Sequence, residues 1–222
     1  MRIKICGLSR NEDIDYVNEG RPDYAGFVFA QSKRQVTPGT AERLRSRLAQ
    51  GIVPVGVFVN AQIDEITALY RGGVISIAQL HGGEDDDYIV KLKEKNNSLQ
   101  VIKVCKFISI KRKKNSKENE ETKQDFAYFA YSGIINNKNS DYILIDSGAG
   151  SGKTFNWNLL EKLKIEKPWF LAGGINLDNI GKALALNPFA VDVSSGAETD
   201  GIKNREKILQ LTAITRKGNK HE

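Results

Sequence analysis

The chain has 222 residues, 40% of them hydrophobic, with a formal net charge of +6, two cysteines and two histidines; this length suffices for one core that buries roughly 70% of the unfolded surface without metal or disulfides. Eight bases (Lys103, Lys106, Lys111, Arg112, Lys113, Lys114, Lys117, Lys123) and three acids (Glu118, Glu120, Glu121) between Lys103 and Lys123 supply +5 of the +6, so the basicity belongs to one polar insertion and argues against a nucleic-acid-binding face. No apolar run approaches about 18 residues and no charged n-region precedes an apolar one, so we expect neither a membrane span nor a secretory leader.

Short apolar runs rich in Val, Ile, Phe and Tyr predict strands at Ile3–Cys6, Tyr24–Phe29, Val53–Val59, Ile75–Leu80, Val101–Phe107, Tyr142–Asp146, Trp169–Ala172 and Ala190–Val193. Such runs suit strands buried on both faces of a parallel sheet. Helical stretches lie between them, at Asn11–Glu19, Pro38–Gln50, Gln62–Arg71, Asp85–Lys95, Glu120–Tyr131, Asn158–Lys164, Leu177–Leu186 and Asn204–Arg216. Thr37 before Pro38, and Asn176 before Leu177, read as N-caps. Strand and helix alternate at about 28 residues per unit, which calls for right-handed crossovers. Eight such units close a sheet into a single-domain (βα)8 TIM barrel over residues 1–222. The polar, Lys-rich insertion after strand 5, with helix 5 in residues 109–140, extends one connection, and the tail at 217–222 is expected to fray.

A reactive side chain at the carboxyl end of a barrel strand faces the mouth where barrel active sites lie. Cys6 ends the first strand and Asp146 the sixth, making them the candidate catalytic residues. Ser147–Thr154 invites comparison with a phosphate-binding P-loop, but Ser147 stands where that loop needs glycine, and Phe155, Asn156 and Trp157 delay the helix. Gly173 and Gly174 follow the seventh strand, and Ser194, Ser195 and Gly196 follow the eighth. Their backbone N–H groups suit a phosphate, which barrels commonly hold at loops seven and eight. Arg34, after the second strand, has the planar fork that grips a carboxylate, or it is a surface arginine. His81, ending the fourth strand, either assists a proton transfer or serves as hydrogen-bonded scaffold. With only His81 and His221 available, no zinc ligand set assembles, so no metal and no cofactor are expected.

Seven segments in order, KICGL (4–8), GFVF with SKR (26–29, 32–34), VGVFVN (55–60), QLHG (79–82), IDSGAGSGKTFNW (145–157), LAGGIN (171–176) and DVSSGAE (192–198), resemble phosphoribosylanthranilate isomerase. The resemblance spans nearly the whole chain. It implies an Amadori rearrangement in tryptophan biosynthesis, with Asp146 as general acid at the ribose ring oxygen and Cys6 as general base at C2. It also implies Arg34 at the anthranilate carboxylate and the two glycine-rich loops at the phosphate; His81 and Asp192, at the ends of the fourth and eighth strands, are further candidates for supporting roles. For this chemistry the carboxyl must titrate above about 3.9 and the thiol below about 8.5, and we expect the phosphate loops and nearby cations to set both shifts. The chain departs from the family in having Thr199, Asp200 and Gly201 in place of a longer, proline-containing turn. The histidine-pathway isomerase, which performs the same rearrangement on another aminoaldose, carries aspartate where Cys6 stands. A binding-only barrel is the alternative from another class. The expected partner is a small phosphorylated molecule, with no nucleic acid or membrane; the protein is expected to be cytoplasmic, as a monomer or homodimer.

Overall fold

The computed structural model describes residues 1–106, 138–146, 160 and 165–217. Eight parallel strands, β1 (Arg2–Cys6), β2 (Tyr24–Val28), β3 (Val53–Phe58), β4 (Ile77–Leu80), β5 (Gln100–Lys106), β6 (Tyr142–Asp146), β7 (Trp169–Ala172) and β8 (Ala190–Val193), close into a barrel in chain order. The closing seam pairs β1 with β8, Lys4 opposite Asp192. Helices α1 (Asn11–Gly20), α2 (Pro38–Arg47), α3 (Ile63–Arg71), α4 (Asp86–Lys95), α5 (Ile180–Ala185) and α6 (Arg205–Lys217) surround it. The barrel is as the sequence predicts. The insertion at 109–140 with its helix, the loop Ser147–Thr154 and the helix expected at Asn158–Lys164 lie wholly or mostly outside the described residues. Of the tail, Lys217 is the last residue of α6 and the remainder lies outside them.

Alternation along the strands produces two apolar layers. Ile3, Ile5, Ala25, Phe27, Val101, Ile143, Ile145, Leu171 and Val191 face the helices, whereas Tyr24, Val55, Ile77, Ile102, Leu144, Phe170 and Ala190 fill the barrel. At the bottom, Phe170 meets Tyr24 edge-on at 5.4 Å and Tyr142 at 5.6 Å, with Phe189 at 5.8 Å. This aromatic plug closes the amino-terminal end of the barrel, leaving the carboxyl end for chemistry.

Local signals explain some element boundaries and not others. Thr37 caps α2 by accepting from the Thr40 N–H at 3.2 Å, with Pro38 in the first turn. The helix expected at Leu177–Leu186 instead begins at Ile180. Asn176 is used earlier: its Oδ1 accepts from the Asp178 N–H, and its own N–H donates to Asn179 Oδ1. An Asx turn therefore consumes the capping residue before the helix starts. The fourth strand begins at Ile77 rather than Ile75: the Ile75 N–H still donates back to the Leu69 carbonyl of α3, and Ser76 makes the first bond across to β3, at the Pro54 carbonyl.

Phe170→Ala empties the centre of the plug and is expected to destabilise the protein by about 3–5 kcal/mol in urea unfolding.

Candidate active site

Strand β1 reads Arg-Ile-Lys-Ile-Cys, and its alternation turns Ile3 and Ile5 toward the helices while Lys4 and Cys6 point into the barrel. Lys4 is fully buried. Its Nζ donates to Gln79 Oε1 on β4 at 2.7 Å and to Asp192 Oδ2 on β8 at 2.9 Å. The same ammonium acts on the Cys6 thiol above it, by charge and by hydrogen bonding. Burial lowers the affinity of Lys4 for its proton, but Asp192 and Cys6 outweigh that and its pKa is raised. Lys4 is therefore a fixed cation beneath the mouth.

Cys6 ends β1 with 7% exposure. Gly26 opposite it on β2 leaves room for the sulfur: a Cβ there would lie 2.7 Å from Sγ. Burial pushes the Cys6 thiol up, Lys4 pulls it down, Asp192 pushes it up and Lys203 pulls it down, with a net rise. This corrects the expectation of a lowered thiol: the cations are present, but in the free protein desolvation exceeds them. Cys105, on the outer face of β5, is pushed up to about 11 by burial alone against a weak pull from Lys103.

Asp146 ends β6, partly exposed, and His81 Nε2 lies 3.4 Å from its Oδ2. His81 Nδ1 in turn lies 3.3 Å from Gln79 Nε2. The backbone around His81 is held by Glu84, whose Oε1 accepts from the Asn60 N–H at 2.6 Å and whose Oε2 accepts from the Gly82 N–H at 2.9 Å. Lys103 neutralises Glu84 at 3.1 Å and also reaches the Gly82 carbonyl. The structure thus brings His81 to Asp146 and Asp192 to Lys4.

Beyond β8, Ser195–Ala197 forms a 3-10 turn and the chain returns as a hairpin, Glu198–Thr199 pairing antiparallel with Ile202–Lys203. Asp200 and Gly201 both take positive φ, 53° and 78°, as a two-residue Asp-Gly turn requires. The hairpin sets Lys203 opposite Glu198, with Nζ 2.5 Å from Oε1. Arg34 grips the same carboxylate through Nε at 2.5 Å and Nη2 at 2.7 Å. Burial raises the Glu198 pKa, but Arg34 and Lys203 overcome it and hold the carboxylate ionised. The stem of Arg34 crosses Gly7, where a Cβ would fall 2.4 Å from Arg34 Cδ and φ is +82°; residue 7 must be glycine.

Gly173 and Gly174 take φ of 99° and 68°. A Cβ on Gly196 would come within 1.9 Å of the Ile175 carbonyl oxygen, so this glycine lets the loops after β7 and β8 touch backbone to backbone. The Ser194 hydroxyl donates to the Cys6 carbonyl at 3.2 Å, tying the last loop to the first. Sequence reasoning missed Lys4, Gln79, Glu198 and Lys203. Their signals were a lysine at an inward position of an apolar strand, the glutamine of QLHG, and an acid and a base flanking Asp200–Gly201.

A family model described as N-(5'phosphoribosyl)anthranilate (PRA) isomerase matches residues 3–213. The chain belongs to this family. The N-(5'-phosphoribosyl)anthranilate isomerase of Endomicrobium trichonymphae is 46% identical over 216 residues, covering 97% of this chain and 98% of the relative. A crystal structure of a phosphoribosyl anthranilate isomerase in complex with reduced 1-(o-carboxyphenylamino)-1-deoxyribulose 5-phosphate is 30% identical, with a TM-score of 0.76, covering 98% of this chain and 99% of that one. Monomers generated from the dimeric enzyme of Thermotoga maritima match at 31% identity, a TM-score of 0.76 and the same coverage. Members of the family are isomerases of tryptophan biosynthesis built on this barrel. Among the described residues, no helix is long and apolar enough to cross a membrane, and no three His, Cys, Asp or Glu side chains gather as metal ligands.

Because burial holds the Cys6 thiol neutral, its alkylation by iodoacetamide, followed by peptide mass spectrometry, is expected to accelerate with pH through a midpoint above the ~8.5 of a free thiol. A midpoint below that value would contradict the dominance of burial over Lys4 and Lys203.

Proposed function

We propose that the protein isomerises N-(5-phosphoribosyl)anthranilate to 1-(2-carboxyphenylamino)-1-deoxyribulose 5-phosphate, with Asp146 as general acid and Cys6 as general base. The observation that carries this reading is that Cys6 and Asp146 end strands β1 and β6 at one mouth of a closed barrel. The bound compound of the solved relative, a reduced form of that product, supports the same substrate class.

Asp146 gives its proton to the ribose ring oxygen as the C1–O bond breaks, and the anthranilate nitrogen lone pair forms an iminium. The Cys6 thiolate then removes the C2 proton, and the C–H electrons neutralise the iminium to an enolamine. Tautomerisation to the ketone, with a proton delivered to C1, completes an isomerisation with no net change in atoms or electrons. The base must be thiolate, and Lys4 and Lys203 both act in that direction. Burial of the site makes each of these fixed charges stronger than it would be in water.

Arg34 receives the anthranilate carboxylate through Nη1, the guanidinium nitrogen that does not bond Glu198. Glu198 and Gly7 supply the rigidity this needs, one by holding the fork and the other by letting the stem cross the strand end. The phosphate lies against the backbone N–H groups of Gly173–Gly174 and Ser195–Gly196. The contact between Gly196 and Ile175 brings those two loops together, and their glycines admit close approach of an anion.

Phosphoribosylanthranilate generated in the assay is expected to be consumed with a change in anthranilate-type fluorescence. Cys6→Ala and Asp146→Asn are each expected to lower kcat at least about 100-fold while circular dichroism stays that of the unaltered protein. No conversion by the unaltered protein, or full turnover in either variant, would contradict the assignment.

A further inference from the structure

Lys4, Gln79, His81 and Asp146 form a line of polar side chains that crosses the barrel from β1 to β6, and the direction of its hydrogen bonds is fixed from one end. An ammonium has only donors, so the Gln79 atom 2.7 Å from Lys4 Nζ must be the carbonyl oxygen. The Gln79 amide nitrogen then points the other way, 3.3 Å from His81 Nδ1. That nitrogen also has only hydrogens to offer, so Nδ1 must present its lone pair. A neutral imidazole with a lone pair on Nδ1 carries its proton on Nε2, the atom 3.4 Å from Asp146 Oδ2.

We propose that Lys4 and Gln79 are positioning residues that hold His81 as its Nε2–H tautomer, so that the ring donates to one oxygen of Asp146 and leaves the acid proton on the other. With Oδ2 receiving the ring N–H, the transferable proton resides on Oδ1. After transfer, the same N–H stabilises the carboxylate that remains. The opposite tautomer would present a lone pair to Oδ2, draw the acid proton toward the ring and leave a lone pair facing the carboxylate once that proton had been given up. His81 therefore serves the acid without changing its own protonation, and Gln79 serves it through His81. Lys4 is shared with Cys6, so a single buried ammonium sets the arrangement of both catalytic groups. The inference rests on the acid role given to Asp146, but its structural core, the tautomer, is measurable without turnover.

The chain has two histidines, so a two-bond 1H–15N spectrum of 15N-histidine-labelled protein contains two ring patterns, and His81→Asn identifies the one to follow. At about pH 8 the unaltered protein is expected to show His81 protonated on Nε2 alone. Gln79→Glu keeps the bond to Lys4 but replaces the amide donor with an acceptor. Its ring pattern is expected to change to one with a proton on Nδ1, and kcat to fall about 10- to 100-fold, part of what a general acid supplies, with KM within about twofold. A residue that merely filled space would not move the ring proton. An Nδ1–H ring in the unaltered protein overturns the proposal, as does a folded Gln79→Glu with an unchanged ring pattern or unchanged kcat. Should that variant not fold, the spectrum of the unaltered protein decides. Full turnover by Asp146→Asn would remove the acid role while leaving the tautomer as measured, so the two failures are distinguishable.

Discussion

The buried ammonium of Lys4 is the constraint to which the interior of this barrel is fitted. A charge with no exposure to water is tolerated only where partners replace its hydration. Here those partners are Asp192 on the adjoining strand of the closing seam and Gln79 on the far side of the barrel. The Lys4–Asp192 pair thus closes the seam between β1 and β8, and the bond to Gln79 joins that seam to β4 across the interior. Below this polar layer the barrel is filled by Phe170 and its aromatic neighbours. Above it, Cys6 and Asp146 stand at the rim.

The layer also sets the electrostatics of the mouth. Desolvation favours a neutral thiol at Cys6, and a thiol buried without cations would hold its proton at neutral pH. Lys4 from below and Lys203 from the hairpin after β8 oppose that penalty. Glu198 balances Lys203 and Arg34 together, so that the two cations stay close to Cys6 without repelling one another out of the site. Glu84 and Lys103 perform a similar service beside His81, where a buried pair fixes the turn that follows β4. Both Cys6 and His81, the neighbour of Asp146, therefore stand beside a buried ion pair from a neighbouring strand or loop.

The eight strands, their order and the positions of Cys6, Asp146, Arg34 and His81 were legible in the sequence, because parallel strands buried on both faces leave apolar runs and barrel chemistry gathers where those runs end. What was not legible depended on closure. In Arg2–Cys6 and Ile77–Leu80 the apolar run conceals the polar inward residues Lys4 and Gln79, and only the closed barrel puts them within reach of one another. The Asp200–Gly201 turn read as a departure in loop length. Its conformation makes it a tight hairpin that delivers Lys203 to Glu198. Asn176 read as a helix cap, but its side chain was spent on the turn before Asn179. The direction of the Cys6 shift was misjudged for a related reason: nearby cations can be inferred from motifs, whereas the depth of burial that exceeds them cannot.

The dependence of the fold on Lys4 is tested most directly by a double-mutant cycle of Lys4→Met and Asp192→Asn in urea unfolding. Lys4→Met leaves Asp192 as an uncompensated buried charge and is predicted to lose about 3–5 kcal/mol. The double variant is predicted to lose less than the sum of the two single ones by about 1–3 kcal/mol, since the second change removes the orphaned charge. Single losses that add within about 0.5 kcal/mol, or a Lys4→Met protein as stable as the unaltered one, would contradict the view that this ammonium organises the barrel.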